Sequence, residues 1–174
     1  MHLKAVLLDL GGTLVGTPPQ YDYETLLVQL HQSLLKNGVS VSYEGYKQAH
    51  IEIRDRVYAK NSLREVAFGL RICEALKRFG FSFQLSDSTI TDATEAFMEP
   101  WIQARTMKKD APSILSALTK GHKLAVVSNF SHTPTVWKTL ERFNIGRFFD
   151  AVVVSVDVGW RKPSSRIFRE ALKD

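Results

Sequence analysis

Three short segments of the chain are almost entirely apolar, and polar or glycine residues follow each of them. They are residues 3–8, 123–127 and 151–156. All three are too short for an ordinary helix, and the last two are rich in β-branched side chains. Runs of this kind are typical of strands that are buried on both faces of a parallel sheet. The pattern therefore predicts three such strands.

Helical patterns follow the second and third of these segments. One begins at Thr133, the expected N-cap, with Pro134 at the first helical position, and continues through Leu140. The other covers residues 167–172. Because strands that alternate with helices are joined by right-handed crossovers, these elements predict an α/β domain built on a parallel sheet.

Between the first and second strands, the apolar positions repeat with a helical period instead. Four amphipathic stripes are expected to form a small bundle: Tyr23–Leu34, Tyr46–Val57, Leu63–Leu76 and Ile90–Trp101. Ser86 is the expected N-cap of the fourth helix. Residues 16–105 are thus predicted to be a helical insertion, while residues 1–15 and 106–174 form the α/β core domain.

Polar side chains stand where the predicted strands end. Asp9 follows the first strand, Ser128 and Asn129 follow the second, and Lys162 lies shortly beyond the third. Since ligands of open parallel sheets bind beyond the carboxyl ends of the strands, we expect these side chains to meet. The carboxylate could attack a tetrahedral anion, while the hydroxyl, the backbone amides and the ammonium group offset its charge.

These segments resemble three motifs of the haloacid dehalogenase-like hydrolase superfamily. Asp9-Leu10-Gly11-Gly12-Thr13-Leu14 is similar to the first motif, Asp-x-Asp-Gly-Thr-Leu. Val126-Val127-Ser128-Asn129 is similar to the second, and Gly159-Trp160-Arg161-Lys162-Pro163 to the third. The helical insertion lies where this superfamily has its α-helical cap. The resemblance implies a three-layer Rossmann-like core, incomplete at its C-terminus, with an inserted α-helical bundle as the cap.

The resemblance also implies roles for the matching residues. Asp9 is expected to be the nucleophile, with Ser128 and Lys162 as catalytic residues that neutralise the transferred group. Substrate contacts are expected from Leu10, Gly11, Gly12 and Asn129. The Asp9 carboxylate and the Gly11 carbonyl are expected to ligate Mg²⁺. Together these roles imply a magnesium-dependent phosphatase that forms an aspartyl-phosphate from a small phosphorylated metabolite.

Two departures from the superfamily pattern bear on activity. Gly11 replaces a second aspartate that serves as general acid and base, a role worth about 10²–10⁴-fold in rate. The fourth motif, Gly-Asp with a nearby acid, does not occur before Asp174. We therefore expect a truncated fragment or a degenerate version. The absent segment would pair with the first strand, so residues 3–9 are expected to form an exposed edge through which the chain could self-associate.

Two alternatives to the phosphatase stay open. A dehalogenase or a phosphonatase-type hydrolase would use the same Asp9 ester, although position 11 carries neither the tyrosine of the former nor the alanine of the latter. A catalytically impaired, anion-binding fragment would keep the fold and the pocket without turnover. Gly11 and the absence of the fourth motif favour this second alternative.

Composition and charge narrow the partners and the location. The net charge is +5, but Lys and Arg are spread along the chain without a nucleic-acid-reading motif, so nucleic acid is not an expected partner. No apolar run reaches the length of about 18 residues that indicates a membrane span. The first residues do not resemble a signal peptide, and Cys73 is the one cysteine. A cytoplasmic protein with a small anionic substrate is expected.

Overall fold

The computed structural model describes residues 4–16, 22–59 and 62–173, so Leu3 of the predicted first strand lies outside the described residues. These residues form two compact units. The first takes the described residues of Met1–Pro19, Leu63–Glu65 and Ala104–Asp174, and the second those of Gln20–Ser62 and Val66–Gln103. Residues 63–65 thus join the first unit, although the sequence pattern places them inside the helical insertion.

Regular elements cover most of both units. The strands are β1 (Ala5–Leu8), β2 (Val15–Gly16), β3 (Thr106–Met107), β4 (Lys123–Ser128) and β5 (Ala151–Val154). The helices are α1 (Tyr23–Lys36), α2 (Tyr43–Val57), α3 (Phe68–Lys77), α4 (Ser88–Gln103), α5 (Ala111–Leu118), α6 (Thr133–Arg142), α7 (Ser155–Val158) and α8 (Ser165–Ala171). A 3₁₀ turn covers Gly146–Phe148.

The larger sheet is parallel and has the strand order β1-β4-β5. Leu8 lies opposite Val126, and Ser128 lies opposite Val154. β2 and β3 form a separate antiparallel pair. The predicted α/β class with a parallel sheet is therefore confirmed. Within the part of the chain that the structure describes, β1 pairs with β4 alone and is an edge of its sheet. Self-association through this edge stays a prediction.

Helices cover both faces of this sheet. The side chains of successive strand residues point to opposite faces, so each face has its own cluster. One cluster joins β4 and β5 to α5 and α6 through Val126, Val154, Leu115 and Leu140. The other joins the same strands to α8 through Val127, Val153 and Ile167. Burial on both faces explains why the strands are continuous apolar runs in the sequence.

The second unit consists of α1, α2, α3 and α4, which bury their apolar faces against one another. The buried leucines of α1 are Leu26, Leu27, Leu30 and Leu34, which lie on one side of the helix. The Asp22 and Ser42 side chains accept hydrogen bonds from backbone N–H groups at the starts of α1 and α2. In the described ranges, no helix has the length and apolar character that crossing a membrane requires.

Two predicted helix starts in this region are wrong. The third helix begins at Phe68 rather than near Leu63, because residues 63–65 are hydrogen-bonded to a loop of the first unit instead. The fourth begins at Ser88, and the N–H groups of Ile90 and Thr91 donate to the carbonyl of Asp87. The predicted cap, Ser86, therefore lies outside the first turn.

Two predictions for the first unit also need correction. β5 ends at Val154 rather than at residue 156, and the single turn of α7 follows it. That turn ends at Gly159, whose φ of +73° favours glycine. His132 is the N-cap of α6, so Thr133 is the first helical residue and not the cap.

Candidate functional site

Asp9 lies directly after β1, at the carboxyl end of the parallel sheet. Its Oδ1 atom accepts a hydrogen bond of 2.8 Å from the backbone N–H of Leu10. Its Oδ2 atom lies 2.8 Å from Nζ of Lys162. The Asp9 side chain is nevertheless 42% exposed. A carboxylate that is oriented through both oxygens can therefore still be reached by a substrate.

Lys162 brings a positive charge to this carboxylate. Its Nζ atom donates a hydrogen bond of 2.6 Å to the carbonyl oxygen of Val127 in β4, in addition to the contact with Asp9. The sheet backbone thus orients the lysine side chain. Because an ammonium group has three N–H donors, these two contacts leave a third for an oxygen of an anionic substrate. The structure brings together Asp9 and Lys162 as the sequence predicts.

Asn129 holds the backbone of Lys162 through its side chain. Its Oδ1 atom accepts from the N–H of Lys162 at 2.7 Å, and its Nδ2 atom donates to the carbonyl of Lys162 at 3.2 Å. This two-point contact joins the loop after β4 to the loop before α8. The amide side chain of Asn129 is therefore used for positioning, and the substrate contact predicted for this residue is left to its backbone N–H.

Ser128 is the last residue of β4 and is buried, with 4% of its surface exposed. Its strand lies beside β1, in which Leu8 faces Val126. Asp9 and Ser128 consequently follow the ends of adjacent parallel strands at the same edge of the sheet. This is the edge at which ligands bind in open parallel sheets.

The loop after Asp9 folds back on Leu10. The N–H groups of Leu14 and Val15 both donate to the carbonyl of Leu10 at 3.0 Å. Gly12 has a φ of +80°, in the left-handed region that favours glycine. The side chain of Leu10 is buried in the core, and its N–H is used by Asp9. A substrate contact is predicted for Leu10, but its side chain does not reach the surface.

Oxygen donors for a hard cation are few in this region. Among the described residues, no group of three or more His, Cys, Asp or Glu side chains is placed to hold a metal ion. Mg²⁺, however, is usually held in proteins by one or two carboxylates, together with water and the phosphate oxygens of a substrate. The exposed carboxylate of Asp9 and the carbonyl of Gly11 fit that minimal donor set.

Two arginine side chains pack on an aromatic ring in the loop that carries Lys162. The guanidinium carbons of Arg64 and Arg166 lie 4.0 Å and 4.2 Å from the centre of the Trp160 ring, which is cation–π distance. Trp160 precedes Lys162 by two residues. Two cations thus lie against the indole ring in the loop that carries Lys162.

Two buried polar residues of this region were not predicted from the sequence to belong to the site. Ser155 is fully buried, and its hydroxyl donates a hydrogen bond of 2.7 Å to Oε2 of Glu65, which is 9% exposed. Ser155 falls in an apolar run and Glu65 in a helical stripe, so neither stands out locally. The signal is the burial of a carboxylate, which is uncommon without a specific partner and is visible only in the fold.

Comparisons with known proteins agree with the motifs. A family model described as haloacid dehalogenase-like hydrolase matches residues 3–174. A glyceraldehyde 3-phosphate phosphatase from Methanothermobacter thermautotrophicus is 41% identical over 69 residues, which are 40% of this chain and 30% of that protein. The matching segment thus spans less than a third of this curated relative.

Solved structures share the fold. A 2-haloacid dehalogenase from Pseudomonas syringae pv. Tomato superposes with a TM-score of 0.61 at 22% identity, over 99% of this chain and 72% of that one. A HAD phosphatase from Thermococcus onnurineus superposes with a TM-score of 0.58 at 22% identity, over 97% of this chain and 69% of that one. Because these two proteins are named for different reactions, the fold alone does not choose between them.

Proposed function

The chain belongs to the haloacid dehalogenase-like hydrolases, whose family model matches residues 3–174, and from this premise we propose that it is a magnesium-dependent phosphatase acting on a small phosphorylated metabolite. The observation that carries the proposal is the contact between the exposed carboxylate of Asp9 and the ammonium of Lys162, 2.8 Å apart. The relative from Methanothermobacter thermautotrophicus, a phosphatase, supports this choice over a dehalogenase.

The proposed reaction proceeds in two steps. An oxygen of Asp9 attacks phosphorus, the bond from phosphorus to the departing oxygen breaks, and that oxygen receives a proton from water. Water then attacks the aspartyl-phosphate, which restores the carboxylate and releases inorganic phosphate. Lys162, the Ser128 hydroxyl and the backbone N–H of Asn129 would stabilise the charge on the phosphoryl oxygens during both steps.

Asp9 and the carbonyl of Gly11 would hold the Mg²⁺ ion in this proposal. When bound, the ion would neutralise charge on the phosphoryl group and help to orient it. We also propose that the helical unit, α1 to α4, is the cap of this superfamily, the part that selects the substrate.

The proposal is tested by measuring phosphate release from para-nitrophenyl phosphate with and without Mg²⁺. We expect release that depends on Mg²⁺. Chloride release from 2-chloropropionate is measured in parallel. Chloride release without phosphate release would identify a dehalogenase, and binding of inorganic phosphate without turnover of either compound would identify an anion-binding protein.

Gly11 predicts a strong dependence on the leaving group. Without an acid at this position to protonate the departing oxygen, aryl phosphates should be hydrolysed about 10²-fold faster than alkyl phosphates, or more. The Gly11→Asp variant should reduce this difference in rate, because the new acid should accelerate hydrolysis of the alkyl phosphate. A side chain can begin at this position, because a Cβ at position 11 would meet no atom within 4 Å beyond its chain neighbours. The measurement is kcat/KM for an aryl phosphate and for glycerol phosphate.

Gly121→Asp is the matched control for this prediction. It places the same acid at another exposed glycine whose Cβ would also meet no atom within 4 Å, and it should leave the ratio of the two rates unchanged. Equal rates on both substrates in the unmodified chain, with no gain in Gly11→Asp, would mean that a different group protonates the leaving oxygen.

A further inference from the structure

The loop that carries Lys162 is paired with a segment from a distant part of the chain. We call this segment, Leu63–Glu65, the brace. The carbonyl of Leu63 accepts a hydrogen bond of 2.8 Å from the N–H of Arg161, and the N–H of Glu65 donates at 3.1 Å to the carbonyl of Gly159. Between these two bonds, Arg64 lies opposite Trp160 in an antiparallel bridge. The brace therefore fixes the backbone immediately before Lys162.

The side chain of Glu65 extends this connection to the loop after β4. Its Oε2 atom accepts a hydrogen bond of 2.7 Å from the hydroxyl of Ser155, and the same hydroxyl oxygen accepts one of 2.9 Å from the N–H of Phe130. The hydroxyl also lies 3.2 Å from the carbonyl of Phe130, but its single proton is better placed for the shorter contact with the charged carboxylate. Shielding from water strengthens these bonds.

Together these contacts close a ring. The N–H of Phe130 donates to the hydroxyl of Ser155, which is bonded to Glu65. The adjacent residue, Asn129, is hydrogen-bonded to both the N–H and the carbonyl of Lys162. Lys162 in turn follows Arg161, which is bonded to the brace. Because the ring is closed, neither loop can move relative to the other without straining at least one of these hydrogen bonds.

We infer that Glu65 and Ser155 are positioning residues for the reaction proposed above. They act through the two loops to keep the ammonium of Lys162 beside Asp9 and in reach of the phosphoryl oxygens. As far as it concerns rate, this inference rests on the proposed phosphatase activity. If the two residues had only a structural role, a substitution would lower the stability alone, and the folded fraction of the variant would keep its kcat.

The kinetic test compares two variants of Glu65. Glu65→Ala removes the acceptor and should lower kcat by about 10- to 100-fold, since small misplacements of a catalytic group have effects of that order. KM should change much less, because the substrate phosphate can still reach the loops. Glu65→Gln keeps an oxygen that accepts from Ser155, so it should retain most of the activity.

A second measurement does not depend on turnover. In the unmodified chain the N–H groups of Phe130 and Arg161 should be protected from hydrogen exchange, and Glu65→Ala should expose both together although they are far apart in sequence. Thr139→Val serves as the control, since it deletes a buried hydroxyl that bonds to the carbonyl of Thr135 within α6. It should change neither amide. If the chain releases no phosphate at all, the proposed function fails while this measurement still tests the ring.

The inference is overturned if the folded fraction of Glu65→Ala keeps its kcat, and also if both amides stay protected in that variant. It is equally overturned if Glu65→Gln loses as much as Glu65→Ala, because the hydrogen bond would then not be the cause. Where Glu65→Ala does not fold, Glu65→Asp replaces it: this side chain keeps the charge but is one methylene too short to keep the contact of 2.7 Å with Ser155. The kcat of Glu65→Asp is then compared with that of Glu65→Gln, and equal losses in the two variants would overturn the inference.

Discussion

Phosphate release from an aryl phosphate is expected to fall by about 10⁴-fold or more in the Asp9→Asn variant, as is typical when a nucleophile is removed from a catalytic group of residues. An amide does not form the ester with phosphorus, although it keeps the size of the side chain. The expected loss is larger than the effect of any neighbouring residue, because each of the others only stabilises charge that Asp9 must first help to create.

Asp150→Asn is the matched control for this experiment. Asp150 accepts a hydrogen bond of 2.8 Å from the N–H of Leu124, at the opposite end of the sheet from Asp9. This variant should therefore keep its activity. Circular dichroism should show that Asp9→Asn is folded, because a half-exposed ion pair contributes no more than about 1 kcal/mol to stability. Turnover in Asp9→Asn close to that of the unmodified chain would remove Asp9 from the mechanism.

The second large effect is expected on stability and concerns His50 of the helical unit. This side chain is fully buried, with Nε2 lying 3.1 Å from the hydroxyl of Tyr23 and Nδ1 lying 3.3 Å from the hydroxyl of Tyr46. Burial, assisted by the nearby cations of Arg71 and Arg54, lowers the pKa of His50 from 6.5 to about 3. The folded chain therefore keeps this imidazole neutral.

The sign of the pH dependence follows from that pKa. Between about pH 3 and 6.5 the unfolded chain binds a proton at His50 that the folded chain does not. The free energy of unfolding therefore falls as the pH is lowered through this window, by about 1.4 kcal/mol for each unit. Between pH 7 and pH 4, this one group should remove about 3 kcal/mol, which is a large part of the stability of an ordinary domain.

Urea unfolding at pH 7 and pH 4 measures this effect, and His50→Gln isolates it. Glutamine has both a donor and an acceptor for the two tyrosine hydroxyls but takes up no proton in this range. The contributions of the acidic residues are common to both proteins and cancel when their pH dependences are subtracted. Parallel pH dependences in the two proteins would show that His50 does not titrate as its burial implies.

Much of the α/β unit could be predicted from the sequence because its strands are buried on both faces. Such strands appear as short continuous apolar runs, and this property is local. The ends of these runs placed Asp9 and Ser128 at one edge of the sheet, since parallel strands share the direction of their carboxyl ends. The four helices between β2 and β3 were equally predictable, because the helical period of their apolar positions is local as well.

The boundaries of the elements were less predictable, and the errors have a common cause. The stripe from Leu63 to Leu76 reads as one helix, yet α3 begins at Phe68. Leu63 and Glu65 instead form backbone hydrogen bonds with a loop of their own unit, the first. A period calculated over a short window does not separate these two cases.

The detailed site was decided by the tertiary structure alone. Its bonds join residues that are far apart along the chain: Ser155 and Glu65 are separated by 90 positions, and Lys162 and Val127 by 35. A hydrogen bond over such a distance leaves no pattern in either segment, because each residue type also occurs in unrelated surroundings. The sequence determined which chemical groups arrive at the edge of the sheet. Only the packing of the loops determined which of them touch, because that depends on where distant segments of backbone meet.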